Sequence, residues 1–286
     1  MKKSKWSQEK RLEFIDFRLC WDGQINRSDI TGFFGISIPQ ASQDIARYNE
    51  LTSDNAVYDT RAKIYRAADK FTPAFESATA RHYLNELLAI SEGLLSPGAS
   101  FIGWQPPFAA VPMPERKVPS DILLSLFKAI RHKQTVDVIY LSKNEVEPGK
   151  RWLTPHAIAH DGLRWHVRAY CHKHNQYRDF VVARFLEVRE ISTANISMPE
   201  DHAWNNILTL ILIPNHQLSP AHQNMVEVEY GMTNGELEFQ CSEALFYYVS
   251  RRLGLHRRDA QTPKEHPVVL KNYDELRPYM PSVEGK

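Results

Sequence analysis

The stretch SIPQASQDIARY, residues 37–48, gives the strongest indication of the fold of the first part of the chain. Four apolar residues within it recur at steps of three, four and three, namely Ile38, Ala41, Ile45 and Tyr48. This spacing places them on one side of a helix, which we expect to be buried. Ser37 is a favoured N-cap, and Pro39 is tolerated in a first turn because its missing N–H has no intrahelical partner there. The stretch therefore predicts a helix that begins at Ile38 and continues to about Leu51.

The opposite side of this predicted helix carries Gln40, Gln43 and Arg47. In the major groove of DNA, glutamine can make two hydrogen bonds to adenine and arginine can make two to guanine. We expect these three residues, with Ser37 at the helix start, to contact DNA. Gln and Arg are common on any exposed helix, so a helical bundle with an ordinary solvated surface is the alternative. Glu50 on the outward side counts against a DNA contact.

The flanking segments match the outline of a winged helix-turn-helix. Helical or strand-like patterns mark five of them, at residues 7–21, 27–34, 56–59, 63–66 and 75–92. The third and fourth are the size of a β-wing, and the others are predicted helices. Two short helices joined by a tight turn and followed by a hairpin are typical of this DNA-binding motif. Arg61 and Lys63 at the wing tip are expected to hold phosphate or to enter the minor groove.

A chain of 286 residues is too long for one ordinary hydrophobic core. Six prolines lie from Pro97 to Pro119, a density typical of an extended connector. We therefore expect an α+β multidomain protein. Its predicted parts are an N-terminal domain, a proline-rich connector, a central domain and a C-terminal extension, at residues 1–95, 96–118, 119–195 and 196–286.

The second half of the chain predicts two small mixed domains. A helix over 119–133 precedes four closely spaced strand candidates, at residues 134–142, 152–160, 163–172 and 177–185. Short connections between strands imply a small antiparallel sheet or barrel. After residue 205 the pattern predicts a small α/β domain with the order strand, helix, strand, strand, helix, at residues 207–213, 219–225, 226–232, 235–240 and 243–253. The two apolar strands 207–213 and 226–230 are the expected dimer contacts.

Charge is distributed unevenly, although the whole chain carries only +1. Residues 128–190 carry twelve Lys and Arg against seven Asp and Glu, which is +5, and residues 191–286 carry eight against twelve, which is −4. Leu163–His172 alternates, with apolar residues on one side and Arg164, His166, Arg168, Tyr170 and His172 on the other. The first side predicts a core contact. The second, with its cations and rings, predicts a site for a phosphate or nucleic acid.

Other classes of site have weak support in the sequence. The three cysteines, Cys20, Cys171 and Cys241, are far apart, which predicts reduced thiols. His172 and His174 share a strand side, but no third ligand at a recognisable spacing accompanies them, so no metal or other cofactor is expected. The N-terminus leads into a charged amphipathic segment and not an apolar signal core, which indicates a cytoplasmic protein.

The run from Leu126 through Glu190 resembles a WYL domain, an Sm-like small β-barrel found in bacterial transcription factors. The resemblance rests on these pieces: Ala129-Ile130-Arg131, Val138-Ile139-Tyr140, Pro155-His156, Arg164 through Tyr170, Arg178-Asp179-Phe180 and Arg184. The triplet that names the domain is altered. Trp165 is present, but His166 and Val167 replace tyrosine and leucine, and His166 can change which ligand is accepted.

The whole chain is similar to the WYL regulators of the BrxR/CapW group, which repress bacterial phage-defence operons. The resemblance implies a winged helix-turn-helix, a WYL domain and a C-terminal dimerisation domain. We further hypothesise a homodimer that binds an inverted-repeat operator and is released by a nucleotide or single-stranded nucleic acid. The family's ligand-facing positions fall on Tyr140, Ser142, Arg151, His156, His166, Arg168, Arg178 and Arg184.

Two other functions remain open from the sequence. One is an enzyme that acts on nucleotides through His156, His166 and Arg168, and the other is a nucleic-acid-binding adaptor without sequence preference. The arginines also have a purely structural alternative, because Arg178 and Arg184 lie near the carboxylates Asp179, Glu187 and Glu190 in sequence.

Overall fold

A computed structural model describes residues 2–114, 116–143, 145–192, 198–255 and 263–280. The chain divides into two compact units, Met1–Pro114 and Glu115–Lys286. Helices and antiparallel sheets occur in both, which confirms the α+β expectation. Across the described residues, no helix combines the length and apolar character that crossing a bilayer requires.

The first unit has the predicted order of three helices, a hairpin and a further helix. Its elements are α1 (Lys2–Asp22), β1 (Gln24–Ile25), α2 (Arg27–Phe34), α3 (Ile38–Thr52), β2 (Ala56–Asp59), β3 (Ile64–Ala67) and α4 (Ala80–Ser91). A capping box between Asn26 and Asp29 begins α2, and Gly35 ends it in the left-handed conformation. The two-residue strand β1 pairs with β3 and was not predicted, because two residues show no periodicity.

The helices of the first unit pack around an aromatic and aliphatic core. Phe14, Phe17 and Ile30 are fully buried there, as are Ile45 and Tyr48 of α3. Ile38 was expected on the same buried side, but its side chain is 64% exposed. Because Ile38 is the first residue of α3, its position on the helical wheel is right, but it lies beyond the packed part of the helix.

Part of the predicted connector is packed into the first unit. Phe101 and Ile102 are buried in its core, and the Phe101 ring lies 5.2 Å from that of Phe14. The Ser100 hydroxyl donates a hydrogen bond to Glu86 of α4. Proline density predicted an irregular backbone, but it gives no information on whether the apolar residues between the prolines reach a core. The expectation of an extended, unpacked connector is therefore wrong for this segment.

The second unit begins with a helix over a five-stranded antiparallel sheet. These elements are α5 (Ser120–His132), β4 (Thr135–Tyr140), β5 (Gly149–His160), β6 (Trp165–Cys171), β7 (Gln176–Val181) and β8 (Phe185–Ser192). The strand order is β7-β6-β5-β4-β8, and α5 covers the sheet with Ile122, Leu126 and Ala129. The sequence analysis missed β8, whose alternation is interrupted by the charged residues Glu187 and Arg189.

The unit continues into a smaller α/β part. Its elements are α6 (His202–Asn205), β9 (Ile207–Pro214), α7 (Pro220–Tyr230), β10 (Leu237–Ser242), α8 (Glu243–Arg252), β11 (Val268–Leu270) and α9 (Tyr273–Leu276). The strand predicted over 226–232 is wrong, because α7 continues to Tyr230 and ends at Gly231. Val226 is buried and Val228 is 76% exposed, so the two-residue alternation reflects the two sides of a helix.

Candidate nucleic-acid and anion-binding sites

The outward side of α3 presents Gln43 and Arg47. Both side chains are exposed, Arg47 by 53%, and the guanidinium lies 2.9 Å from the Glu50 carboxylate. Ser37 accepts a hydrogen bond from the Gln40 backbone N–H at 3.4 Å and so caps the helix. An exposed ion pair of this kind is weak, so Glu50 can release Arg47 to a stronger partner. The geometry leaves Gln43 and Arg47 accessible to the edges of bases.

Gln40 differs from the other two predicted reading residues. Its side-chain amide donates to Asp44 at 3.2 Å, and the residue is half-buried. The sequence suggested that Gln40 projects outward, but residues 40 and 44 are one turn apart and Asp44 is fully buried. Gln40 is therefore held at the edge of the core.

Buried polar contacts fix the inward side of α3. Asp44 accepts hydrogen bonds from Arg11 of α1, from Nε at 2.6 Å and from Nη2 at 3.1 Å. The Tyr48 hydroxyl donates to Asp16 at 2.5 Å, and Asp16 also accepts from the backbone N–H groups of Ala74 and Phe75. Burial raises the pKa of Asp16, although these hydrogen bonds oppose the shift. These contacts set the rotation of α3 about its axis, and with it the direction of Gln43 and Arg47.

The hairpin of β2 and β3 places Arg61 and Lys63 at its exposed tip. Asp59 shapes this tip by accepting hydrogen bonds from the backbone N–H groups of Arg61 and Ala62. These hydrogen bonds, of which the one from Ala62 has the largest effect, lower the pKa of the Asp59 carboxyl below its ordinary value. The predicted wing is therefore present, with both expected cations free of the core.

Arg27 connects the wing to α3 and was missed in the sequence analysis. Its Nε donates to the Ser42 hydroxyl at 2.9 Å and its Nη2 donates to the Tyr65 hydroxyl at 2.8 Å. The guanidinium also lies over the rings of Tyr58 and Tyr65. No local pattern signals this role, because Arg27 is only the first residue of α2 and its partners lie on other elements.

Five of the eight predicted effector residues line one cavity of the second unit, which we call the anion pocket. It has a volume of about 390 Å³, and these residues are Tyr140, Ser142, Arg151, Arg178 and Arg184. The sequence analysis missed Lys143, Glu145 and His174, which line the same cavity. Tyr140 is buried between Phe180 and Phe185, and its hydroxyl accepts the Val181 backbone N–H at 3.1 Å.

The electrostatics of the anion pocket favour a negatively charged ligand. Four cations and two carboxylates line it. Arg151 is only 4% exposed, and its Nη2 is paired with Glu145, while its Nη1 has no hydrogen-bond partner among the described residues. Hydrogen bonds from Arg151 and then Lys173 lower the pKa of Glu145 to about 2. A buried guanidinium nitrogen without a partner is costly, so an anionic oxygen in the pocket is a favourable partner for it.

His156 and Arg168 were expected to contact the effector, but they do not line the anion pocket and belong to an ionic cluster that meets the pocket at Asp179. Nε and Nη2 of Arg168 donate to Asp201 at 2.7 and 2.9 Å, and Nη1 donates to Asp179 at 3.2 Å. His156 Nε2 lies 2.9 Å from the same Asp201 carboxylate. Burial would raise the pKa of Asp201, but the hydrogen bonds from Arg168 and then His156 outweigh it and lower the pKa. Asp201 lies 33 residues beyond Arg168, so no local pattern predicted this pairing.

His166 is also buried, with Nε2 2.9 Å from Asp161, and its Nδ1 has no hydrogen-bond partner in the part of the chain that the structure describes. Leu163 and Trp165, expected in the core, are instead more than half exposed. Val167, Ala169 and Cys171 on the same side are buried as predicted. His166 and Arg168 on the opposite side are buried as well, because Asp161 and Asp201 pair with them. Within the described ranges, no three His, Cys, Asp or Glu side chains are arranged to hold a metal ion.

Three family models match successive parts of the chain. Residues 7–89 match the winged helix-turn-helix domain of the BrxR transcriptional regulator. Residues 121–190 match the WYL domain. Residues 207–276 match the C-terminal dimerization domain of the BrxR transcriptional regulator. The matched segments contain, in order, the α3 surface, the anion pocket and the small α/β part from β9 to α9.

Curated relatives cover nearly the full chain. The DNA-binding transcriptional repressor CapW of Pseudomonas aeruginosa is 44% identical over 275 residues, which are 96% of this chain and 92% of the relative. CapW of Escherichia coli is 42% identical, with the same two coverages. CapW of Stenotrophomonas maltophilia is 40% identical over 280 residues, which are 97% of this chain and 94% of the relative.

Proposed function

Because the chain belongs to the CapW family of DNA-binding transcriptional repressors, we propose that it represses transcription by binding an inverted-repeat operator as a homodimer. In this proposal α3 of each protomer enters a major groove, and Arg61 and Lys63 of the wing contact the flanking backbone. The observation that supports it most directly is the exposure of Gln43 and Arg47 on a helix locked from behind by Asp44.

Dimerisation is proposed to occur through the small α/β part of the second unit. Three apolar side chains there are more than half exposed, Ile207 on β9 and Met225 and Val228 on α7. Met225 and Val228 are three residues apart, so they share one side of the helix. A single winged domain makes few base contacts, and joining two raises affinity and selectivity through effective concentration. This replaces the expected strand 226–230 with a helix at the dimer contact.

The anion pocket is proposed to receive a nucleotide or single-stranded nucleic acid that releases the repressor, as part of phage-defence control. Its excess of cations and the unpaired Nη1 of Arg151 support an anionic ligand. Release requires that the effector bind the two states of the dimer with different affinity. His156, His166 and Arg168, the residues considered for an enzymatic function, do not line the anion pocket, and this supports a binding role for that pocket.

Replacing Arg47 by alanine is expected to weaken operator binding by about 1–3 kcal/mol and to relax selectivity at one base position. The measurement is a titration of the full-length protein with the duplex upstream of its own gene and with single-base variants of that duplex. Arg131→Ala, which removes an exposed arginine on α5, is the matched control and should bind as the wild type does. Unchanged affinity and selectivity in Arg47→Ala would show that α3 does not read the operator.

Replacing Arg184 by alanine is expected to raise the effector concentration needed for operator release by roughly tenfold, since one charge-assisted hydrogen bond is lost. Operator affinity without effector should not change. The measurement is release of labelled operator by nucleoside triphosphates or by short single-stranded oligonucleotides. The control is Arg189→Ala, which removes an exposed arginine outside the pocket. Release at the wild-type concentration in Arg184→Ala would contradict the assignment of the anion pocket.

A further inference from the structure

A second cationic cavity lies beside the anion pocket, and we call it the α8 pocket. It has a volume of about 550 Å³ and is formed between the turn that joins β5 to β6 and the exposed side of α8. The turn contributes Arg164, and α8 contributes Tyr247, Arg251 and Arg252. Arg164 lies on the strand side that was predicted to bind an anion, whereas the three residues of α8 were not predicted, because the charge of the C-terminal region is negative overall.

The turn between β5 and β6 approaches the Arg252 guanidinium closely at Gly162. Gly162 has a φ of +92°, and a Cβ atom at this position would collide with the guanidinium of Arg252. The positive φ favours glycine at this position. The Arg252 side chain is exposed, and its guanidinium lies beside this turn, where an anion can reach it.

The charges of the α8 pocket are mostly uncompensated. Its one carboxylate, Asp161, is occupied by Arg164 at 3.0 Å and His166 at 2.9 Å. None of the ion pairs within the described ranges involves Lys143, Arg251 or Arg252. Tyr247 is 49% exposed, so its ring is available as a stacking surface. Arginines beside an exposed aromatic ring are the combination that binds the backbone and an unpaired base of a single strand.

The two pockets adjoin. Lys143 lines both of them. The Tyr248 hydroxyl, in the α8 pocket, donates a hydrogen bond at 2.9 Å to Asp179, which lines the anion pocket. A ligand with a single phosphate group can neutralise the cations of one pocket only. A ligand with several phosphates can neutralise both and can cross from one to the other at Lys143.

We infer that the effector is a short single strand of nucleic acid that occupies both pockets. Its phosphates contact Arg151 and Arg184 at one end and Arg251 and Arg252 at the other, and an unpaired base stacks on Tyr247. This inference rests on the proposed effector role of the anion pocket. It connects sensing to repression directly, because α8 belongs to the segment that matches a dimerization domain.

Binding to oligonucleotides of increasing length tests this inference. Fluorescence anisotropy of the full-length protein is measured with labelled oligothymidylates of about one, two, four and eight nucleotides, with oligouridylates of the same lengths, and with a duplex. We expect affinity to rise at least about tenfold from one nucleotide to four, since phosphate contacts add up. A preference for the deoxy or the ribo series identifies the sugar, and either preference supports the inference.

Variants separate the two pockets. Arg251→Ala and Tyr247→Ala are expected to lower the affinity for the longer oligonucleotides by roughly tenfold and to leave the affinity for the mononucleotide unchanged. Arg184→Ala should lower the affinity for both the mononucleotide and the longer oligonucleotides. Arg131→Ala, outside both pockets, is the control. Tyr247→Ala removes a half-exposed ring, and operator binding by the same variant at the wild-type affinity shows that the variant is folded.

Several results would overturn the inference. Affinity that is independent of length, wild-type binding of the longer strands by Arg251→Ala and Tyr247→Ala, or tighter binding of the duplex through the same residues would each do so. Loss of single-strand binding in Arg47→Ala would place the ligand on α3 instead. If neither mononucleotide nor oligonucleotide binds while operator binding persists, the proposed effector role itself fails, and the inference fails with it.

Discussion

Replacing Arg168 by alanine is expected to destabilise the second unit by about 3–5 kcal/mol. The guanidinium is buried and donates to two carboxylates, Asp201 and Asp179, on three nitrogens. Its removal leaves the two carboxylates unpaired in a site from which water is largely excluded. The free-energy cost of that unpaired charge exceeds the net stabilisation that the ion pairs provide. The sequence suggested that Arg168 binds the effector, in which case the same change would affect release and not stability.

Urea unfolding of the full-length protein measures this effect, with Arg189→Ala as the control. Arg189 is an exposed arginine paired with Glu187, so its removal should cost less than about 1 kcal/mol. An Arg168→Ala protein that unfolds at the wild-type urea concentration would show that the ionic cluster does not stabilise the unit.

The stability difference between wild type and Arg168→Ala should also depend on pH. The folded-state pKa of Asp201 lies below its ordinary value of 3.8, because Arg168 and His156 stabilise the charged form. A group with a lowered folded-state pKa contributes stability above its unfolded pKa and loses it as the pH falls through the folded value. The difference should therefore be fully present at neutral pH and should shrink below about pH 3.8.

Replacing Asp44 by alanine is expected to destabilise the first unit by about 3–5 kcal/mol and to abolish operator binding with it. Asp44 is fully buried and pairs with Arg11, which is itself buried, so the change strands a positive charge in the core. Gln40 also loses the acceptor of its side-chain amide. Thermal unfolding and operator titration on the same samples measure both effects.

Two further variants make the Asp44 experiment specific. Glu9→Ala removes an exposed carboxylate from α1 and should unfold as the wild type does. A double variant, Arg11→Met with Asp44→Leu, replaces the buried pair by apolar side chains, a change that is often neutral or stabilising. If the double variant recovers stability, the loss in Asp44→Ala arises from the unpaired positive charge of Arg11. A double variant no more stable than Asp44→Ala would contradict this explanation.

Local patterns predicted the helices and the wing because their determinants are local. The spacing of Ala41, Ile45 and Tyr48 depends only on helical geometry, and the capping role of Ser37 depends on the adjacent turn. The same information placed Gln43 and Arg47 on the exposed side of α3. Of the eight effector positions inferred from the resemblance to the WYL family, five lie in one cavity of the structure.

Long-range pairings account for what the sequence could not predict. Arg168 and Asp201 are 33 residues apart, and Gln40 became half-buried because Asp44 is held by Arg11 from another helix. The alternation of 226–230 fits both a strand and the last turn of a helix, and only packing on β9 distinguishes them. The α8 pocket depends on residues 80 or more positions apart, beyond the reach of any periodicity.

We propose that Gln43 and Arg47 of two protomers read one operator. This is tested by comparing the affinity of the full-length protein for the duplex upstream of its own gene with its affinity for a scrambled duplex of equal length and composition, at one salt concentration. We expect a preference of about 10³ or more that disappears in Gln43→Ala/Arg47→Ala. Equal affinity for the two duplexes, or an undiminished preference in the double variant, would contradict it.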